Sequence, residues 1–127
     1  MSIMPDSMRG VSKHVITPLV RGFAGKQLLA LVRHTGRHSG RTYTTPLIVR
    51  QAGDTFFIAL TYGPNTDWCR NVLAAGECAI QLHGRWYRAV DPRIVGRAIA
   101  LERFNLLQRT LLRIIGVKDY LRLRAAA

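Results

Sequence analysis

Apolar segments separated by turn residues run through the middle of the chain and predict consecutive β-strands. Three such segments cover residues 27–35, 43–51 and 54–62. Each is rich in aliphatic, aromatic and β-branched residues, which favour strands. Gly53, within the sequence AGD, marks a tight turn between the second segment and the third.

Two later segments extend the same pattern. Residues 78–93 predict a hairpin that turns at His83 and Gly84, and residues 118–124 alternate between apolar and polar side chains as a strand does. Because hairpins dominate the pattern, the sequence predicts a mainly β fold with inserted helices, a small β-barrel of about six strands rather than a parallel sheet.

Helical spacing appears at three places. Residues 9–24 predict an N-terminal amphipathic helix that is kinked or restarted near Pro18. A short helix is expected to begin after Asn65 or Thr66 and to stop at Gly76, with one face made of Trp68, Val72 and Leu73. A third helix is expected over residues 101–116, with its core-facing side made of Leu101, Phe104, Leu107, Leu111 and Ile114 or Ile115.

The length of the chain, 127 residues, suits a single domain that buries roughly two-thirds of its unfolded surface. We expect one domain over residues 1–127, with residues 1–24 as its N-terminal helical segment and residues 26–127 as the barrel.

The charge of the chain is strongly positive. Lys and Arg number 19 against 7 Asp and Glu, a formal net charge of +12. Such a surface attracts anionic partners, which include nucleic acid, an acidic membrane face and a polyanionic small molecule, but it does not specify the fold.

The cysteines and apolar runs restrict the compartment. Cys69 and Cys78 match no metal-binding spacing and are too few for a disulfide framework, so we expect buried thiols, no metal site and a reducing cytoplasm. The apolar runs at residues 28–32 and 56–60 are far shorter than the roughly 20 residues that span a bilayer.

The sequence RHTGRHSGR, residues 33–41, concentrates groups that bind oxyanions. Gly36 and Gly40 free the backbone to expose N–H groups, while Arg37 and Arg41 offer bidentate hydrogen bonds to phosphate or carboxylate. Thr35, Ser39 and His38 add side-chain donors. The turn is either an anion site or a solvated basic hairpin loop.

A second group of residues, LTYGPNTDWCRN over 60–71, joins a strand end to a helix start. Thr61, Tyr62 and Gly63 offer hydrogen bonds to a ring, and Trp68 offers a surface on which a ring could stack. The alternative is that Trp68 is a core residue and Asn71 a polar residue on the helix face.

Taken in order, these pieces resemble the deazaflavin-dependent nitroreductase family, actinobacterial split β-barrel proteins that use coenzyme F420. The family pattern is TGRxSG, then TPL or NPL, then a strand ending in a small or hydroxyl residue, then a W-x-x-N helix. The chain matches it in order, strongest over residues 28–91, with Thr35, Gly36, Arg37, Ser39, Gly40, Thr45, Pro46, Leu47, Thr61, Trp68 and Asn71.

The resemblance implies a split β-barrel of the FMN-binding type and an F420-dependent oxidoreductase. The reaction would be hydride transfer from the reduced deazaflavin to a small organic acceptor, such as a quinone or a nitro compound. The phosphate and glutamate tail of the coenzyme would contact Arg37, His38, Ser39, Gly40 and Arg41.

The ring of the coenzyme is expected beside the remaining predicted residues. Thr45 and Pro46 would flank it, Ala59, Leu60, Thr61, Tyr62 and Gly63 would line its polar edge, and Tyr43, Trp68 and Asn71 complete the cofactor-binding set. Thr61 and Tyr62 are the candidate catalytic residues, with Tyr62 orienting the ring or donating a proton to the acceptor.

Two other functions are weighed against this one. A flavin version of the same barrel, binding FMN, would use the basic turn equally well for its phosphate. A nucleic-acid-binding module would explain the charge, but aromatic residues are not interleaved in the basic loop. We also expect a homodimer as one assembly and a peripheral membrane contact through residues 9–24 as one use of the N-terminal helix.

Overall fold

A computed structural model of the chain describes residues 29–126, which form six β-strands and three α-helices. The strands are β1 (Leu29–Thr35), β2 (Thr42–Ala52), β3 (Thr55–Ala59), β4 (Glu77–Leu82), β5 (Arg85–Gly96) and β6 (Asp119–Ala125). The helices are α1 (Asp67–Ala75), α2 (Arg97–Ala100) and α3 (Leu106–Ile115), with a 3₁₀ turn at Leu101–Arg103. The predicted N-terminal helix over residues 9–24 lies outside the described residues.

The six strands form a closed barrel in the order β1-β2-β3-β6-β5-β4, and every neighbouring pair is antiparallel. The predicted mainly β barrel of about six strands is confirmed. Tight turns at residues 53–54 and 83–84 lie at one end of the barrel, which we call the lower end. Loop 36–41, which joins β1 to β2, lies at the opposite end, the upper end.

Alternation along the strands separates an inner from an outer face. In β1, Ala30, Val32 and His34 are buried while the residues between them are exposed, as a strand with one covered face requires. The inner side chains meet Trp68, Cys69 and Val72 of α1 in a single buried cluster. Helix α1 therefore belongs to the barrel core and contacts β1, β4 and β5.

A second buried cluster covers part of the outside of the barrel. Phe104, Leu111 and Leu112 pack against Phe57 and Tyr120 from the outer faces of β3 and β6. Helix α3 begins after Phe104, whose backbone is extended, and Asn105 caps it in a capping box with Gln108, whose backbone N–H donates to the Asn105 side chain at 2.8 Å.

Three expectations about local structure were wrong in detail. The helix expected over residues 101–116 is divided, because Phe104 is extended and Asn105 begins a new helix. Leu107, expected in the core, is 44% exposed, since the buried face of α3 contains Gln108, Leu111 and Leu112. Of the two isoleucines proposed for the core, Ile115 packs against it and Ile114 is 62% exposed. Leu73 is also exposed, because α1 buries Trp68, Cys69, Asn71 and Val72.

The strand expected over residues 54–62 ends earlier, at Ala59. Residues 60–63 form a turn in which the Gly63 N–H donates to the Leu60 carbonyl at 3.0 Å. Gly63 has a φ of +83°, a conformation that glycine adopts without steric cost. The end of this strand thus becomes a loop that leads to α1.

Candidate functional site

Both groups of residues singled out in the sequence lie at the upper end of the barrel. Loop 36–41 connects the end of β1 to the start of β2, and residues 60–66 connect the end of β3 to the start of α1. Antiparallel pairing of these strands places the two connections on the same rim. The closed topology therefore joins stretches that are about 25 residues apart in sequence.

Loop 36–41 is closed by its own backbone. The Gly36 N–H donates to the Arg41 carbonyl at 2.7 Å, and the Gly40 N–H donates to the Gly36 carbonyl at 2.9 Å. A side chain at Gly36 would meet Ser39 Oγ at 2.7 Å and Tyr43 Cε2 at 2.9 Å, so the loop has no room for one. Gly40 has a φ of +74° and faces open space.

Tyr43 and Ser39 support the loop from one side. The Tyr43 hydroxyl lies 3.3 Å from Ser39 Oγ, and the Arg41 backbone N–H donates to the same Ser39 Oγ at 3.2 Å. Since Ser39 Oγ accepts from the backbone, the side chain helps to hold the turn in shape.

Arg37 ties the loop to helix α1. Its Nη1 donates to Asn71 Oδ1 at 2.8 Å, and its Nη2 forms an ion pair with Asp67 Oδ1 at 3.1 Å. Its backbone N–H also donates to Asn71 Oδ1, at 3.1 Å. Arg37, predicted to contact the anionic part of the coenzyme, thus directs two guanidinium nitrogens at residues of its own chain.

A buried polar network continues from Asn71 into the barrel. Asn71 Nδ2 lies 3.2 Å from His34 Nδ1, and His34 Nε2 lies 3.0 Å from Thr45 Oγ1. All three side chains are buried. Burial lowers the pKa of His34 to about 4, because the interior disfavours the charged imidazolium.

Two basic side chains of the loop point to solvent instead. His38 and Arg41 are exposed, and within residues 29–126 neither side chain has a hydrogen bond or an ion pair. Their donors are available to an anion at the upper end.

The connection over residues 60–66 carries two buried hydroxyl groups that have no partner in the described part of the chain. They are the hydroxyls of Tyr62 and Thr66. Burial raises the pKa of Tyr62, so its phenol keeps its proton near neutral pH. Thr66 is the N-cap residue of α1, but its side chain makes no capping hydrogen bond. An unpaired buried hydroxyl is costly, and a bound ligand is one way to satisfy it.

Several residues predicted to contact the coenzyme have little exposed surface. Thr45, Ala59, Leu60, Trp68 and Asn71 are each at most 5% exposed. Trp68 packs in the barrel core, so the face expected to stack on a ring is covered by protein in this structure. Pro46 is exposed and points away from its neighbour Thr45, because successive residues of a strand face opposite sides.

The structure also assigns a place to a residue that the sequence analysis left out of the site. His34 links Asn71 to Thr45 in the network, and its position in the alternating pattern of β1 is the one feature of the sequence that placed it inside the barrel. A histidine at an inward strand position requires buried hydrogen-bond partners.

Comparison with protein families decides the identity of this barrel. The model of the F420H(2)-dependent quinone reductase family matches residues 9–120. The chain belongs to that family. The predicted resemblance to F420-dependent reductases is confirmed, and the protein is an oxidoreductase that uses coenzyme F420 to reduce a small organic acceptor. No protein with a curated description matches the sequence.

Solved structures share the fold at low sequence identity. An F420 reductase has a TM-score of 0.58 at 14% identity, with 84% of this chain and 93% of that chain covered. A domain-swapped dimer has a TM-score of 0.57 at 14% identity, with 94% and 100% covered. General Stress Protein 26 from Bacillus anthracis str. Sterne has a TM-score of 0.57 at 7% identity, with 87% and 88% covered. These similarities support the barrel fold of the reductase.

Proposed function

We propose that the reductase binds the anionic part of its coenzyme on loop 36–41 and the ring beside residues 60–66. One observation carries the proposal: the basic loop and the segment with unpaired buried hydroxyls lie on the same rim of the barrel. Coenzyme F420 has a phosphate and a glutamate tail, which complement the formal net charge of +12.

The residues at this rim fit such a coenzyme. Arg41 and His38 offer solvent-facing donors that have no protein partner within residues 29–126, and Gly40 presents backbone without a side chain. The hydroxyls of Tyr62 and Thr66 are donors that a ring with carbonyl groups could satisfy.

The bound coenzyme supplies the hydride, and the protein supplies position and a dry environment. Arg41 and His38 bind the charged end, while Ser39 and Tyr43 keep the loop in shape for it. Leu60 and Trp68 close the barrel behind the rim and keep water out. Tyr62 holds its proton at the phenol oxygen, where it can donate a hydrogen bond to the ring or to the acceptor. Thr61, in the same turn, remains the second candidate catalytic residue.

For the hydride acceptor we propose only a chemical class, and for the assembly only a homodimer. The acceptor is a small organic molecule, of which a quinone is the candidate that the family indicates. A homodimer is consistent with the domain-swapped dimer that shares the fold, although that similarity concerns the fold alone.

No helix within residues 29–126 is long and apolar enough to cross a membrane. The peripheral membrane contact through residues 9–24 stays a prediction, which vesicle co-sedimentation of a chain lacking residues 1–24 would test.

The direct test is a fluorescence titration of Arg41→Ala with coenzyme F420 and, in parallel, with FMN. We expect the Kd for F420 to rise about tenfold or more, since a charge-assisted hydrogen bond is lost. The matched control is Arg124→Ala, which removes the same charge from β6 beside the lower end. Equal binding by Arg41→Ala and Arg124→Ala would contradict a coenzyme site on loop 36–41, and a wild type that prefers FMN would move the protein to the flavin alternative.

A further inference from the structure

In the network of Arg37, Asn71, His34 and Thr45, each hydrogen bond can be assigned a donor and an acceptor. The backbone N–H and Nη1 of Arg37 can only donate, and both reach the same atom of Asn71 at 3.1 and 2.8 Å. That atom must be the carbonyl oxygen of the amide, so the orientation of Asn71 is fixed by its partners. The amide nitrogen then faces His34.

This assignment of donors and acceptors determines which nitrogen of His34 carries the proton. Asn71 Nδ2 can only donate, so His34 Nδ1, 3.2 Å away, must accept and be unprotonated. The proton of the neutral ring is therefore on Nε2, from which it is donated to Thr45 Oγ1 at 3.0 Å. A proton on Nδ1 would place two donors against each other and break the contact with Asn71.

We propose that His34 and Asn71 are positioning residues, in which the neutral Nε2–H form of His34 holds Asn71 and, through Arg37, sets loop 36–41 in the shape that receives the coenzyme. The proposal rests on the proposed function of that loop. Neither residue needs to contact the coenzyme, since both are buried at 3% and 5% exposure. Thr45, fully buried in β2, anchors the inner end of the network to the barrel wall.

The geometry explains why a polar network is retained inside the barrel. Arg37 makes four hydrogen bonds to α1, of which two go to Asn71 Oδ1 and two to Asp67, so the position of Asn71 helps to set the position of the loop. Asn71 in turn depends on His34 for the partner of its amide nitrogen. A fully satisfied buried network specifies one arrangement, whereas a partly satisfied one does not.

The first measurement uses the wild-type protein without coenzyme. Nitrogen-15 NMR of the histidine ring distinguishes the two neutral tautomers and the imidazolium. We expect His34 to stay neutral, with its proton on Nε2, between about pH 5 and pH 8. A proton on Nδ1, or titration near the ordinary histidine pKa, would overturn the proposal.

The second measurement compares Asn71→Ala with Asn65→Ala. Both variants remove a side-chain amide, but Asn71 is buried within the network, whereas Asn65 is exposed and precedes the helix. Asn71→Ala removes both the acceptor for Arg37 and the donor to His34 Nδ1, so we expect amide hydrogen exchange of Gly36 and Arg37 that is about tenfold faster or more, and a Kd for F420 raised to a similar degree. The ring of His34 should no longer be restricted to the Nε2–H tautomer, and the kinetic loss should fall mainly on the KM for F420 rather than on kcat.

The two variants also separate this proposal from the proposed function. If Asn71→Ala matches Asn65→Ala in hydrogen exchange and in Kd, the network does not position the loop and the proposal fails. If the wild type binds no F420 at all, the proposed coenzyme site fails instead, while tautomer and exchange still report whether the network holds the loop.

Discussion

At the scale of single residues, two arginines at the upper end of the barrel have different roles. Arg37 is bound to Asp67 and Asn71, while the Arg41 guanidinium has no hydrogen bond or ion pair within residues 29–126. The two have the same chemistry and lie four positions apart, yet one builds the loop and the other is available to an anion. The difference arises from α1, which is within reach of Arg37.

The lowered pKa of His34 predicts that the free energy of unfolding depends on pH. Its pKa is lowered from 6.5 to about 4 in the folded protein, so the unfolded chain binds a proton that the folded chain does not. The free energy of unfolding should therefore fall as the pH drops from about 6.5 to about 4, by up to about 3 kcal/mol from this residue. The charged groups closest to it through the network are Arg37 and Asp67.

Urea denaturation of the wild type and His34→Gln across that pH window measures the effect. Glutamine does not titrate, so the difference in unfolding free energy between the two proteins should shrink as the pH falls. A difference that stays constant from about pH 7 to about pH 4 would contradict the lowered pKa.

At the scale of elements, helices α1 and α3 have different structural roles. Helix α1 places Trp68, Cys69 and Val72 inside the barrel and carries Asp67 and Asn71 to loop 36–41. Helix α3 covers the outside of β2, β3 and β6 and contributes none of the polar contacts of the rim. A change in α3 should therefore alter stability without altering coenzyme binding.

Asn105→Ala tests that separation. The substitution removes the side chain that accepts from the Gln108 N–H at the start of α3, which should lower the free energy of unfolding by about 1 kcal/mol. Chemical denaturation measures the loss, and the Kd for F420 should stay the same. Arg113→Ala, an exposed change on the same helix, serves as the control and should shift stability by less than about 0.5 kcal/mol. A Kd that rises with Asn105→Ala would show that α3 is coupled to the rim.

At the scale of the whole molecule, closure of the barrel leaves no unpaired strand edge among the described strands. The chain as a whole has a formal net charge of +12. Binding of a polyanion should thus depend on long-range attraction as well as on local hydrogen bonds.

This excess charge predicts that salt weakens coenzyme binding. Raising NaCl from about 0.05 M to about 0.5 M should increase the Kd for F420 by about tenfold or more, because screening shortens the reach of the charges. The KM for an uncharged quinone should change little over the same range. A Kd that is independent of salt would mean that charge contributes little to coenzyme recognition.

The sequence predicted much of the fold because its cues were local. Turns at Gly53 and at His83–Gly84 fixed the hairpins, and Thr66 and Gly76 bounded α1 as expected. It failed where packing between distant elements decided the result. Leu73 and Leu107 are apolar and helical in spacing but exposed, because spacing defines a stripe and only the barrel decides which side of it is covered.

By itself, then, the sequence determined the strand pattern, the positive charge, the basic glycine loop and the family resemblance, all of which depend on residue type and spacing along the chain. Only the tertiary structure decided that Arg37 turns toward Asp67 and Asn71, that Trp68 is core, and that His34 reaches both Asn71 and Thr45. These contacts join residues up to 37 positions apart, and hydrogen bonds over such separations exist only after the barrel closes and brings β1, β2 and α1 together.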